Sequence, residues 1–120
     1  MESNHSLAKS FKFAIDGLKT AFTKGRNFRI QISLGAAAVI LGMVFKITPF
    51  EWLGLILIIA SVLILELVNT AIEEIVNMVS PEIQERAKIA KDVSAGAVLV
   101  ASIAAIFIGA FLFLPKILNW

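Results

Sequence analysis

Three apolar segments, each close to the length of a membrane span, restrict the folds open to this chain of 120 residues. They cover residues 30–47, 52–72 and 93–114, and the third contains no charged side chain. A helix needs about 20 residues to cross a hydrocarbon core about 30 Å thick. Because 58% of the residues are hydrophobic and the mean hydropathy is +0.87, a small soluble domain could not bury this much apolar surface. Membrane-spanning helices are therefore expected, since lipid offers the backbone no hydrogen-bond partners.

The segments predict a single domain, residues 1–120, that is an all-α, three-helix integral membrane bundle. We expect helices that contain the spans at residues 28–47, 50–79 and 86–115, with Pro49 early in the second and Ser80-Pro81 ending it. Within residues 1–27, apolar side chains recur at helical spacing opposite a lysine-bearing face. This pattern is typical of an amphipathic helix that lies in the membrane interface.

The distribution of basic residues predicts the orientation in the membrane. Nine of the eleven lysines and arginines lie in residues 1–29 and 86–91. The positive-inside rule then places the N-terminus and the loop near residues 76–92 in the cytoplasm. The chain has no cysteine and one histidine, which excludes thiolate chemistry and a histidine metal cluster. We expect no nucleic-acid partner.

Polar residues in the second span are the main candidates for a functional site. Glu66, Asn69 and Glu73 stand at positions i, i+3 and i+7, which share one face of a helix. A charged side chain inside a membrane costs roughly 3 kcal/mol or more, so it indicates function by default. If Trp52 marks the outer boundary, Glu66 lies about 21 Å below it and Glu73 about 10 Å further, at the water. One ridge would then connect acyl-chain depth with the cytosol.

The two depths suit two chemical roles. A buried carboxylate at residue 66 suits a general base, and an interfacial carboxylate at residue 73 suits a hard cation such as Mg²⁺. A second cluster, at the start of the third helix, offers Lys91 to neutralise phosphate charge and Asp92 to orient that lysine. A base, a metal ligand and a lysine are groups that phosphoryl transfer from Mg–ATP to a lipid hydroxyl requires.

Other interpretations of these residues stay open at this point. A lone intramembrane Glu66 also suits a proton carrier or an interhelical hydrogen bond, in which case the protein would be a small proton-coupled transporter or an assembly subunit. The basic residues near 86–91 also suit topology signals alone. No nucleotide-binding motif of the soluble kinases is present in the sequence.

Two motifs resemble those of the small prokaryotic diacylglycerol kinase family, which includes undecaprenol kinases. They are the stretch from Glu66 to Glu73, with the pattern E-x-x-N-x-A-I-E, and Ala90-Lys91-Asp92 followed by Ser94-Ala95-Gly96-Ala97-Val98. The resemblance also includes the segment Asn27-Phe28-Arg29 before the first span. It implies a homotrimeric lipid kinase of the bacterial inner membrane that uses ATP and Mg²⁺, with diacylglycerol or undecaprenol as the acceptor.

The resemblance also implies a role for individual residues. Glu66 would be the catalytic base and would contact the lipid together with Asn69 and Ala95, and Glu73 would be the Mg²⁺ ligand. The nucleotide would be bound by six residues: Glu73, Glu82, Ile83, Gln84, Lys91 and Asp92.

Two positions depart from the pattern of this family. Gly25 stands where the family usually has a second metal-binding glutamate, and Asn77 stands where it commonly has aspartate. Both changes remove negative charge near the nucleotide. We therefore expect weaker Mg²⁺ binding and reduced activity, with a Gly25→Glu variant as the comparison. A pseudo-enzyme that has lost the metal is a third interpretation.

Overall fold

The computed structural model describes residues 6–79 and 84–120 as four helices and no strands. The helices are α1 (Leu7–Lys24), α2 (Arg26–Val44), α3 (Pro49–Val79) and α4 (Glu85–Ile117). In this part of the chain, α2, α3 and α4 are each long and apolar enough to cross a membrane. The predicted all-α fold with three membrane-spanning helices is confirmed, and the chain is a multi-pass membrane protein.

Helix α1 lies beside the bundle and is joined to it at a tight junction. The Ser6 side chain accepts the Lys9 backbone N–H (3.2 Å) and caps the start of α1. At the other end, the Arg29 guanidinium donates to the carbonyl oxygens of Phe22 (2.6 Å) and Thr23 (2.9 Å). These carbonyls belong to the last turn of α1, which has no intrahelical donors for them. Arg29 therefore fixes the end of α1 to the first turn of α2.

Gly25 separates α1 from α2 with no room for a side chain. It has extended backbone angles (φ −97°, ψ 98°), and its N–H donates to the Ala21 carbonyl at 2.7 Å. A Cβ atom at this position would lie 2.6 Å from the Ala21 carbonyl oxygen and 3.2 Å from the Phe28 Cβ. The close approach explains the glycine, because a backbone oxygen cannot move aside as a flexible side chain can.

The turn between α2 and α3 closes one end of the bundle. The Lys46 N–H donates to the Met43 carbonyl (3.3 Å) and the Ile47 N–H to the Gly42 carbonyl (3.1 Å). These two bonds form a Schellman motif, with Lys46 in the left-handed region at φ 53°. At Gly42 a Cβ atom would lie 2.7 Å from the Trp52 ring, so the glycine allows α3 to start close to α2.

Helices α3 and α4 form the most extensive packing in the described chain, and α2 packs against α3. The buried cluster Ile47, Leu55 and Phe113 holds the end near the α2–α3 turn. At this end, Thr48 and Glu51 cap α3 reciprocally, with backbone-to-side-chain distances of 2.9 and 3.2 Å. The Lys116 ammonium then joins α4 to the Glu51 carboxylate at 2.8 Å.

Candidate active site

The polar ridge of α3 runs from a buried to an exposed carboxylate. Glu66 is 4% exposed, whereas Glu73, two turns further, is exposed. Between them, the Asn69 amide nitrogen donates to a Glu73 carboxylate oxygen at 3.2 Å. This bond shows that Asn69 and Glu73 lie on the same side of α3, as the spacing predicts. The helix is 31 residues long, about 46 Å, so it exceeds a hydrocarbon core of about 30 Å by several turns.

The side-chain oxygens of two ridge residues have no hydrogen-bond donor within residues 6–79 and 84–120. The Asn69 side-chain oxygen is buried and accepts no hydrogen bond, and the Glu66 carboxylate has no bonded donor in this part of the chain. Because an ionised carboxylate can only accept, the Asn69 nitrogen must face Glu73 and its oxygen must face away. A buried oxygen without a donor costs free energy, so such groups are typical of sites that receive a ligand.

The ridge fits a Mg²⁺ ion that is shared with the phosphates of a nucleotide, rather than an ion enclosed by protein ligands alone. Mg²⁺ takes oxygen ligands and is held by one or two carboxylates together with substrate phosphates and water. The exposed Glu73 carboxylate supplies one such ligand, whereas the buried Asn69 oxygen faces away from Glu73. Among residues 6–79 and 84–120, no group of three or more histidine, cysteine, aspartate or glutamate side chains lies together.

At the start of α4, the structure pairs the charged residues differently from the sequence-based interpretation. Asp92 accepts a hydrogen bond from Lys88 of the same helix at 2.6 Å, in an exposed i,i+4 ion pair. Lys91, which we expected Asp92 to orient, instead donates to the Asn77 side-chain oxygen of α3 at 2.7 Å. Lys91 therefore faces the ridge of α3, and Asp92 is directed to Lys88.

Two further predicted residues, Gln84 and Ala95, lie at the start and in the first turns of α4. Gln84 is the N-cap residue of α4 and is exposed, with no side-chain capping bond. Ala95 is exposed one turn after Lys91, on the same face. Glu82 and Ile83 lie outside the described residues. Gly25, which stands where the family pattern usually has a second metal-binding glutamate, occupies a junction where a Cβ atom would meet backbone.

Sequence reasoning missed two interhelical contacts. Asn77 lies one turn after Glu73, so its spacing extends the ridge and could have marked it as a site residue. The Gln31 amide of α2 also donates to the Ser102 hydroxyl of α4 at 3.3 Å. Neither partner could be chosen from the sequence, since both contacts depend on how the helices are rotated against each other.

Comparison with known proteins identifies what this chain is similar to. The family model described as prokaryotic diacylglycerol kinase matches residues 12–113. A diacylglycerol kinase from Synechocystis sp. is 42% identical over 115 residues, which cover 95% of this chain and 66% of the relative. An undecaprenol kinase from Bacillus subtilis is 37% identical over 109 residues, covering 91% of this chain and 89% of the relative. A diacylglycerol kinase from Haemophilus influenzae is 35% identical over 98 residues, covering 79% of this chain and 80% of the relative.

The chain thus spans about two thirds of the Synechocystis relative and nearly nine tenths of the Bacillus relative. The matched region includes all of α2 and α3 and most of α1 and α4. The residues of the polar ridge and the first turns of α4 therefore lie inside it.

Proposed function

The chain belongs to the prokaryotic diacylglycerol kinase family and is a lipid kinase, and we propose that it transfers the γ-phosphoryl group of ATP to diacylglycerol or undecaprenol. The observation that carries this proposal is the ridge of α3 on which the buried Glu66 and the exposed Glu73 lie two turns apart, with Asn69 bonded to Glu73. In this proposal, the buried acid meets the lipid hydroxyl inside the membrane, and the exposed acid meets the nucleotide at the aqueous boundary. We propose that Mg²⁺ assists the reaction, and that the site faces the cytoplasm of a bacterial inner membrane.

In this mechanism, Glu66 accepts the proton of the lipid hydroxyl while the hydroxyl oxygen attacks the γ-phosphorus. An O–P bond forms, the bond between the γ-phosphorus and the bridging oxygen breaks, and ADP leaves with that oxygen. Because Glu66 is buried and has no hydrogen-bond donor in the described chain, its carboxylate is available to this proton. The Asn69 oxygen lies about one turn away and can accept a hydrogen bond from the same hydroxyl.

In this proposal, residues of both α3 and α4 help to balance the negative charge of the transferred phosphoryl group. Mg²⁺, held by Glu73 and the phosphates, supplies positive charge to the phosphate oxygens when it is bound. Lys91 of α4 adds a second positive charge next to the ridge, since its ammonium lies 2.7 Å from Asn77. Positioning and such electrostatic contacts account for most of the catalysis in phosphoryl transfer. We propose that Glu82, Ile83, Gln84 and Asp92 also bind the nucleotide, and that Ala95 contacts the lipid headgroup.

We propose that the protein assembles as a homotrimer, because the resemblance to this family implies that assembly. A trimer would cover part of the apolar surface that α4 exposes, which includes Val93, Leu99 and Val100. Chemical cross-linking of the protein in native membranes tests this point. Products that end at the trimer support the assembly, and a purely monomeric protein contradicts it.

The deciding experiment offers each lipid separately to the purified protein with ATP and Mg²⁺ in mixed micelles. We expect labelled phosphate to appear on one or both lipids, and Glu66→Gln and Lys91→Ala each to reduce this transfer to background. A proton carrier would lose proton movement in Glu66→Gln and would tolerate Lys91→Ala. Absence of Mg²⁺-dependent transfer to both lipids by the wild-type protein would contradict the proposal and favour a pseudo-enzyme.

A further inference from the structure

The contact between Asn77 and Lys91 connects the two helices of the proposed site by one hydrogen bond. The Lys91 ammonium donates to the Asn77 side-chain oxygen at 2.7 Å, across 14 positions of sequence. Asn77 lies four residues after Glu73, which adds about 6 Å along the helix axis on the same ridge. Lys91 is half-buried and Asn77 is exposed. The contact therefore holds the lysine at the aqueous end of the ridge, beyond the proposed metal ligand.

Two neighbouring lysines of α4 differ in the charge of their partners. Lys88 bonds the Asp92 carboxylate at 2.6 Å, so a negative charge compensates its positive charge. The partner of Lys91 is a neutral amide, so Lys91 is held in position without being neutralised. An ammonium group has three N–H donors, and Asn77 takes one of them. Two donors and the full charge remain for phosphate oxygens.

This contact gives the asparagine at residue 77 a different expected effect from the one that the family pattern suggests. The family pattern commonly has aspartate here, and the missing charge by itself suggests weaker Mg²⁺ binding. In the structure, however, residue 77 contacts Lys91, and an aspartate in the same place would form an ion pair with it. A phosphate would then have to compete with a carboxylate for the same ammonium.

We propose that Asn77 is a positioning residue that fixes Lys91 for the nucleotide phosphates while leaving its charge free, and thereby strengthens nucleotide binding. This inference rests on the proposed kinase function and deepens it, because it assigns a residue to donor affinity. Asn77 acts through Lys91, so its substitutions change the KM for ATP more than they change kcat. An exposed ion pair has a modest strength, which corresponds to a change of about two- to five-fold.

The experiment measures the KM and kcat for ATP of the full-length protein in mixed micelles, at saturating lipid and Mg²⁺. We expect Asn77→Asp to raise the KM about two- to five-fold, with kcat within about two-fold of wild type. Asn77→Ala frees the lysine without neutralising it, and we expect a rise of about two-fold, from the cost of ordering one flexible side chain. Asn27→Asp makes the same chemical change at an exposed position of α2 and serves as the matched control.

A double-mutant cycle shows whether the effect passes through Lys91. Because Lys91→Ala removes turnover, the cycle uses equilibrium binding of Mg–ADP to wild type, both single variants and the double variant. We expect Asn77→Asp to weaken binding in the wild-type background and to have no effect in the Lys91→Ala background. An equal loss in both backgrounds, or an equal KM rise in Asn27→Asp, would overturn the inference.

The same data separate this inference from the kinase function itself. An active wild-type enzyme with unchanged KM in Asn77→Asp contradicts only the role of Asn77. A wild-type protein that transfers no phosphate to lipid contradicts the proposed function. A lower KM in Asn77→Asp would also overturn the inference, because it would show that negative charge at residue 77 assists the nucleotide.

Discussion

The two ends of the α3–α4 pair contain similar residues, a glutamate and a lysine, but the partners of these side chains differ. At the end near the α2–α3 turn, Glu51 accepts hydrogen bonds from Thr48 and Lys116, and both charges are paired. Towards the other end, Glu66 near the middle of α3 is buried without a donor in the described chain, and Lys91 is held by an uncharged Asn77. The first end uses its polar groups to join helices. The second leaves oxygen atoms and positive charge available, as a site that binds a charged substrate requires.

The strongest test of this difference compares the two glutamates directly. We expect Glu66→Gln to lower kcat by about 10²- to 10⁴-fold, because the amide cannot accept the proton from the lipid hydroxyl. Glu51→Gln should keep kcat within about two-fold and should instead lower the midpoint of thermal unfolding slightly, since it removes a partly exposed ion pair. Lipid-kinase assays and thermal unfolding in detergent measure both quantities. A comparable loss of kcat in Glu51→Gln would show that the rate depends on general packing rather than on the buried base.

A second comparison concerns two glycines near the proposed cytoplasmic side. A Cβ atom at Gly25 would lie 2.6 Å from the Ala21 carbonyl oxygen. A Cβ atom at Gly17 would have no neighbouring atom within 4 Å beyond its own helix backbone. We expect Gly25→Ala to destabilise the protein by about 1–3 kcal/mol, because the backbone must shift. Gly17→Ala should be neutral or stabilise α1 by up to about 1 kcal/mol.

The midpoint of thermal unfolding in detergent distinguishes these two variants. The result also affects any attempt to restore a carboxylate by Gly25→Glu, since a loss of activity would then have a steric cause. An unchanged midpoint in Gly25→Ala would contradict the close approach at this junction.

The smallest expected effect is at the α2–α3 turn, where Lys46 has φ 53°. Lys46→Gly should stabilise the protein by about 1 kcal/mol, because glycine adopts the left-handed region without strain. Lys46→Ala is the control, since alanine keeps the Cβ atom that causes the strain. Unfolding midpoints and kinase rates are measured for both variants. Stabilisation by Lys46→Gly without a change of kinase rate would support different roles for the two ends of the bundle. Equal stabilisation by Lys46→Ala would show that the Cβ atom of Lys46 causes no backbone strain.

Much of the fold follows from hydrophobic runs, which determine how many helices span the membrane. Sequence reasoning expected the second helix at residues 50–79 and the third at 86–115; α3 covers Pro49–Val79 and α4 covers Glu85–Ile117. The helix α4 continues through Pro115 to Ile117, although proline has no N–H to donate to the carbonyl four residues earlier. Periodicity also identified the face that carries Glu66 and Glu73.

Contacts between helices were beyond the reach of the sequence. Asp92 was expected to orient Lys91, but it pairs with Lys88 one turn before it, and the rotation of α4 against α3 brings Lys91 to Asn77. In the same way, the sequence shows that Gly25 replaces a carboxylate of the family pattern. The close approach of this position to the Ala21 backbone depends on the angle between α1 and α2. Such angles arise from packing and not from local pattern.

The central claim is that one ridge of α3 carries a proton-accepting acid and a cation-binding acid with separate roles. A Mg²⁺ titration of the lipid-kinase rate in Glu66→Gln and Glu73→Gln tests it most directly. We predict that Glu73→Gln needs a higher Mg²⁺ concentration and recovers part of its rate there, while Glu66→Gln stays inactive at every concentration. Recovery of Glu66→Gln by Mg²⁺, or a Glu73→Gln variant with wild-type Mg²⁺ dependence, would contradict this division of roles.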